Sequence, residues 1–421
     1  MSIKQRLESR FLEIPELTRE SDSFIGLDFL QKNPNLKFMN PFVLYNPTKL
    51  IFGQGTVAKI SNLIPKNARV LLVYGGGSVK KNGSYDQTIS ALGKRKVVEF
   101  SGIEANPEYE TCLKAVDTIR KNKLDFILAL GGGSVIDACK FIAAATPFKG
   151  KNPWQILTSY GSIIKEALPL GTVLTIPATG SEMNQNSVIS RRATEEKLAF
   201  ASDLVFPQFS ILDPTFTLTL PDRQISNGVV DAFVHVMEQY CTRPSDAPVQ
   251  DGFSETIMKT LVEEGPKALR KKDDMAVRSN IMLCATMALN KLICIGVPED
   301  WSTHLVGHEI TALYGLDHAQ SLAIVLPKML RYKSAAKGEK IAQLGRNVFG
   351  IAEKSKKVAI KKTIEAIVKF FKKMKIGTEF ADYKIGAEAP EKVAANIAKH
   401  YKAIGENADI TPEDVAKLLK I

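Results

Sequence analysis

Two apolar runs that break on a glycine triplet, RVLLVYGGGS at 69–78 and FILALGGGS at 126–134, restrict this chain more than any other feature. A run without polar alternation reads as a strand buried on both faces, which is how strands of a parallel sheet are patterned. GTVLTIPATGSE, from Gly171, is a third such run with a polar, glycine-bearing exit. Helical stretches alternate with these runs, so the first half reads as an α/β domain with a parallel sheet. After ILDPTFTLTLPDR the β-rich runs nearly vanish and helical periodicity continues to the C-terminus. With 421 residues, two domains are expected. We place them at 39–220 and 221–421, behind a polar, weakly periodic extension at 1–38.

The glycine turns suggest a ligand. Residues 75–78 and 131–134 both read Gly-Gly-Gly-Ser. Glycine lets backbone approach a phosphate closely, and a helix starting there offers free N–H groups at its positive dipole end. Neither turn matches the G-x-G-x-x-G pattern, and one alone could serve only a tight strand-to-helix turn. Two in succession point to a dinucleotide. The stretch YGGGSVKKNG presents Gly75, Gly76, Ser78, Lys80 and Lys81 and no acid to accept from a ribose 2′-hydroxyl. NADP(H) therefore fits it better than NAD(H).

A second feature lies in the helical half. Three of the chain's five histidines fall within HLVGHEITALYGLDH, as His304, His308 and His318. His304 and His308 are four apart in a helical pattern, so both rings project from one face. Earlier, in GVVDAFVHVMEQY, Asp231 and His235 are also four apart in an apolar stretch. A buried carboxylate needs a partner, and a hydrogen-bonded Asp–His pair would supply one. The sharper reading joins Asp231, His235, His304 and His318 in one site for Fe(II) or Zn(II), because one carboxylate and three imidazoles suit a borderline divalent ion. Such a site leaves room for a substrate oxygen.

Charge and cysteine usage narrow the alternatives. The net charge of +11 comes from one region, 328–375, with fifteen Lys and Arg against three Glu. There Ile364, Ile367, Val368, Phe371 and Met374 recur at helical spacing between lysines, the pattern of an amphipathic helix with a basic solvated face. No nucleic-acid motif accompanies it, so no nucleic-acid partner is expected. No apolar run has the roughly 18–20 residues of a membrane span, so none is expected there either. Five cysteines without a C-x-x-C pair, and an N-terminus without an apolar signal, suit a reducing cytoplasm.

These stretches together resemble the iron-containing (group III) alcohol dehydrogenases, in their NADPH-dependent aldehyde reductase and butanol dehydrogenase branch. The likeness runs from about Asn40 to the C-terminus through YGGGSVKKNG, GIEANPEYET, GGGSVIDACKFIAAA, TIPATGSE, NGVVDAFVHVMEQY and HLVGHEITALYGLDHAQSLAIVLP. It implies an α/β dinucleotide-binding domain with a parallel sheet plus an all-α metal-binding domain, a dehydroquinate synthase-like architecture with the active site between them. It implies Asp231, His235, His304 and His318 as metal ligands and His308 as a histidine near the substrate. Gly132, Gly133, Ser134 and Asp137 match the pyrophosphate and nicotinamide side of the cofactor site. Asp137 joins His308 as a catalytic candidate. Asn106, Thr175, Thr179 and Lys197 match further cofactor contacts, and Gly76 stands where NAD-using relatives tend to carry Asp. The implied reaction is reversible hydride transfer between NADPH and an aldehyde, giving a primary alcohol, in a protein that commonly dimerises. The extension and the basic helix around Lys361 depart from the family pattern. Two rival readings remain at this stage: a dehydroquinate-synthase-like lyase, whose metal site tends to use one Glu and two His, and a basic non-catalytic binding protein.

Overall fold

A computed structural model describes residues 39–421; the extension at 1–38 lies outside the described residues. The sheet is six-stranded and parallel, in the order β1-β8-β5-β4-β2-β3. Its members are β1 (Lys49–Phe52), β2 (Arg69–Tyr74), β3 (Lys96–Phe100), β4 (Phe126–Gly132), β5 (Leu170–Ile176) and β8 (Phe209–Leu212). The two glycine-ended runs are β2 and β4, and they are neighbours, with Val73 opposite Ala129 and Tyr74 opposite Leu130. From β2 the chain goes on to β3 on one side, and from β4 to β5 on the other. The carboxyl ends of β2 and β4 therefore flank a topological switch point, where open α/β sheets bind ligands.

Helices cover both faces. α1 (Ser84–Leu92) lies over one, where Leu92 joins Val70, Leu72, Leu128 and Leu130. α2 (Tyr109–Asn122) and α3 (Gly133–Ala145) cover the other, packing Cys112, Val116, Ile136 and Phe141 against Leu71, Val73, Ile127 and Ala129. This double burial explains why β2 and β4 carry no polar alternation. One element has no counterpart in the sequence expectations. β6 (Asn186–Arg191) and β7 (Glu196–Ala201) form an antiparallel hairpin, with Ile189 opposite Leu198.

Beyond the last strand the chain is helical: α4 (Asp222–Tyr240), α5 (Pro248–Arg270), α6 (Met275–Met287), α7 (Ser302–Tyr314), α8 (His318–Tyr332), α9 (Ser334–Phe349), α10 (Lys356–Lys373), α11 (Ala389–His400) and α12 (Pro412–Leu419). Their shared core gathers Val230, Phe233 and Met237 of α4 with Leu322 and Leu326 of α8 and Ile367, Phe370 and Phe371 of α10. The basic region thus spans the end of α8, α9 and α10; on α10 the apolar stripe is buried and the lysines point outward, whereas Lys328, Lys337 and Lys340 are buried. No helix among the described residues is long and apolar enough to cross a membrane.

Candidate active site in the cleft between sheet and helices

A cavity of about 300 Å³ opens at the carboxyl ends of β2, β4 and β5, against the first turns of α4 and α8. Gly75, Gly76, Ser78, Asn106, Gly132, Gly133, Ser134, Thr175 and Thr179 line it, as do Asp231 and His318. Both features singled out in the sequence therefore open onto one space.

The glycine turns differ in build. After β4 the helix starts at once, with Gly132 at its N-cap and no side chain on the free N–H groups. An added Cβ would stand 2.6 Å from Val135 Cγ2 at Gly131, 2.9 Å from Ile176 Cβ at Gly132 and 2.2 Å from Thr179 Oγ1 at Gly133. After β2 the chain instead runs through Gly77, at φ 91°, into a 3-10 turn at Ser78–Lys80, and α1 begins only after Gly83. A Cβ added at Gly76 meets nothing within 4 Å.

At the other end, α4 supplies Asp231 and His235, α7 supplies His304 and His308, and His318 opens α8. One potential ligand atom from each of Asp231, His304 and His318 falls within a 4.8 Å sphere of mutual distances. His235 adjoins this set. Its ring lies 4.5 Å from that of His304, centroid to centroid, and its Nδ1 is 3.5 Å from Asp231 Oδ1. His308 adjoins both His318 and His304, with ring centroids 5.2 and 6.4 Å away. Burial pulls every one of these imidazoles down, His235 to about 4 and His304 to about 3, so the rings are neutral near pH 7. The same burial raises Asp231 above the ordinary carboxylate range.

These residues fit a divalent cation. Asp231 Oδ1, His235 Nδ1, both nitrogens of His304 and His318 Nδ1 are buried without a hydrogen-bond partner among the described residues. Leaving each so costs about 1–3 kcal/mol; a cation would offset that cost at Asp231 Oδ1, at His235 Nδ1 and at one nitrogen of His304, and His318 meets Asp231 through Nε2, 3.8 Å away. Neutral nitrogens and one carboxylate are the donor set Fe(II) or Zn(II) takes. The surrounding structure holds the ligands in place. Asp317 caps α8 directly before His318 and is clamped by Arg223 Nε and Nη2, at 2.6 and 2.5 Å, and by Asn227 Nδ2 at 2.6 Å. Glu238 accepts from the backbone N–H groups of Thr303 and His304 at 3.0 and 3.3 Å and sets a carboxylate 3.5 Å from His304 Nδ1.

Three expected contacts sit elsewhere than the cleft wall. Lys80 does not line the cavity: its ammonium lies 4.6 Å over the Tyr85 ring and 3.6 Å from Glu99 Oε2. Glu99, on the neighbouring strand, draws it there and also accepts from Tyr74 and Tyr85 Oη, each at 2.6 Å. Asp137 does not line the cavity either. Its oxygens accept from Ser181 Oγ at 2.5 Å and Val188 N at 3.0 Å, which ties α3 to the β6–β7 hairpin. Its place is that of a positioning residue. Lys197, delivered by β7, is buried behind the wall and donates to Asn106 Oδ1 at 3.1 Å. Burial lowers it to about 8, and its charge in turn depresses His304, His308 and His318.

Sequence reasoning missed Glu104, Gln224, Asn227, Gly228 and Asp317, which also line the cleft. Only Gly228 left a signal, a glycine inside a helical pattern. A Cβ there would be 2.2 Å from Pro177 O, so α4 can approach the exit of β5 only with glycine at that point.

Comparison with known proteins agrees with this geometry. A family model described as iron-containing alcohol dehydrogenase matches residues 47–214, and the C-terminal model of the Fe-containing alcohol dehydrogenase family matches 225–421. The chain is 50% identical over 375 residues to the NADPH-dependent aldehyde reductase YqhD of Escherichia coli, covering 89% of this chain and 97% of that one. It is 40% identical to a probable NADH-dependent butanol dehydrogenase of Bacillus subtilis, covering 91% and 99%. The crystal structure of E. coli YqhD superposes with a TM-score of 0.90 at 48% identity over 91% of this chain and 99% of that one. For NADH-dependent butanol dehydrogenase A of Thermotoga maritima the values are 0.87, 34%, 91% and 98%.

Proposed function

Because this chain belongs to the iron-containing alcohol dehydrogenase family, we propose that it is a metal-dependent aldehyde reductase, reversibly transferring hydride between NADPH and a short-chain aldehyde such as butanal to give a primary alcohol. The observation that carries this reading is the single cavity lined by Gly132, Gly133 and Ser134 at one end and by Asp231 and His318 at the other. The glycines would hold a dinucleotide at one end of this cavity, and Asp231 and His318 open onto the same space, so cofactor, metal and a small carbonyl would share it.

When bound, NADPH provides the hydride, and Fe(II) or Zn(II) held by Asp231, His235, His304 and His318 provides Lewis acidity towards a carbonyl oxygen. The chain supplies position and electrostatics. With neutral rings, Asp231 is the one anionic ligand, so a divalent ion there retains about one net positive charge where negative charge develops. The free N–H groups at the start of α3 face the pyrophosphate position, with Ser134 beside them. Thr175 and Thr179 line the cavity as further contacts for the cofactor, and Lys197 fixes Asn106 from behind. His308, a neutral ring next to His318, is our candidate to pass the proton to the product oxygen.

The division at residue 220 belongs to the same reading: β8 ends at Leu212 and α4 begins at Asp222. So do a cytoplasmic location and a homodimer. Exposed Phe42, Val43, Leu44 and Tyr45 lead into the edge strand β1, a surface suited to a second copy. The test of function is NADPH oxidation with butanal before and after a chelator. Turnover that stops with the chelator and returns with Fe(II) or Zn(II) is the expected result. Inertness towards butanal, with or without metal, would remove the reductase reading in favour of a lyase or a binding protein.

A further inference from the structure

Glu104 is a carboxylate in the cleft for which the proposed reaction has not yet used a role. It follows β3 in the loop leading to α2. Gly102 N donates to Gly75 O at 3.1 Å and Ile103 N to Tyr74 O at 3.4 Å, so this loop is pinned against the first glycine turn. Glu104 lines the cavity beside Gly76 and Ser78. One oxygen is held: Thr111 Oγ1 donates to Oε1 at 2.7 Å. The other, Oε2, is buried and has no hydrogen-bond partner among the described residues. Arg192 donates to Glu108 and Lys197 to Asn106, and no base among the described residues pairs with Glu104. A buried, ionisable oxygen left without a donor is costly, and because the half-buried Glu104 lines the cleft, a small turn of its carboxylate would bring Oε2 to a donor held there.

We propose that Glu104 reads the adenosine ribose of the cofactor and sets how strongly the enzyme prefers NADPH over NADH. This rests on the reading above, in which the cleft holds a dinucleotide with its adenosine end at the first glycine turn. Oε2 accepts a hydrogen bond from a ribose hydroxyl. NADH offers both the 2′- and 3′-hydroxyls as donors, whereas NADPH offers only the 3′-hydroxyl and brings a phosphate that the carboxylate repels. Glu104 therefore favours NADH and restrains the NADPH preference created by the acid-free turn at 75–78. Pinning by Thr111 gives the carboxylate a fixed direction, which is what reading a diol requires.

The test is fluorescence titration of NADPH and of NADH onto the metal-loaded full chain, unmodified and as Glu104→Gln and Glu104→Ala. Loss of a charge-assisted hydrogen bond should raise Kd for NADH roughly tenfold or more in Glu104→Ala. NADPH loses one bond and sheds a repulsion, so its Kd should stay within about threefold. The ratio between the two cofactors widens, and Glu104→Gln, which preserves shape and the Thr111 contact, should widen it in the same direction but less. Unchanged binding of both cofactors would mean that water satisfies Oε2, and equal weakening of both would mean that Glu104 only braces the loop. Either result overturns the proposal while leaving the reductase reading intact. Binding of neither cofactor by the unmodified chain would overturn both.

Discussion

At the sheet end of the cleft the wall is backbone, with Gly75 and Gly76 on one turn and Gly132 and Gly133 on the next. At the helical end it is side chain, with Asp231 and His318 in the wall and His235 and His304 buried behind them, and several of their polar atoms have no partner among the described residues. The glycine end makes contact by having nothing in the way, so its specificity depends on what neighbouring loops add. The histidine end is costly without a cation, so its specificity is built into the ligands themselves. The first should tolerate change unevenly, and the second hardly at all.

The largest effect expected is therefore at the histidine end. Asp231→Ala, His235→Ala, His304→Ala and His318→Ala should each lose bound metal, and turnover of butanal should fall on the order of a thousandfold. Elemental analysis beside steady-state rates checks this. His235 sharpens the comparison, because it borders the three closest ligand positions. Metal retained in His235→Ala would make it a support for His304 instead of a ligand.

The glycine end should split in two. Gly133→Ala puts a Cβ 2.2 Å from Thr179 Oγ1, so Thr179 and the first turn of α3 must shift. We expect KM for NADPH to rise at least about tenfold, with metal content unchanged. Gly76→Ala enters open space and should change KM less than about threefold. Gly76→Asp tests the chemistry of the same position. A carboxylate there should reduce the NADPH preference by roughly tenfold, the equivalent of about 1.4 kcal/mol, as the ratio of kcat/KM for the two cofactors will report. Equal losses at Gly76 and Gly133 would break the distinction between the two turns.

His308 lies between the extremes. Its alanine variant should keep metal and NADPH affinity and turn over roughly a hundredfold more slowly, with an altered pH profile. A site emptied by His308→Ala would make it a ligand. The smallest effect belongs to the extension: a chain beginning at Met39 should retain metal content and turnover.

Much of this plan was legible from local sequence. Uninterrupted apolar runs ending in glycine announced β2 and β4, and i, i+4 spacing put Asp231 with His235 and His304 with His308 on single helix faces. What those patterns do not carry is the direction a side chain takes once neighbouring strands arrive. Lys80 follows Glu99, which comes from β3, and Asp137 turns to Ser181 in a 3-10 turn and to Val188 of the hairpin beyond it, neither with a strong signature of its own. Glu104 and Asp317 escaped for the same reason. Each sits in a loop without periodicity, and partners distant in sequence, Thr111 on α2 for Glu104 and Arg223 and Asn227 on α4 for Asp317, help to fix its position. The residues read correctly into the cleft are mostly glycines and threonines at strand ends, where the backbone path alone decides the outcome.

The central claim is that the two ends serve one reaction, and the distance between their ligands tests it most directly. The chain can be loaded with Co(II) or with Zn(II), and the nicotinamide H4 resonance of bound NADP+ followed by NMR in each form. Strong paramagnetic broadening with Co(II), absent with Zn(II), is the result expected if the metal sits within hydride-transfer range of the cofactor. Identical line widths in the two forms, with both ligands bound, would contradict it.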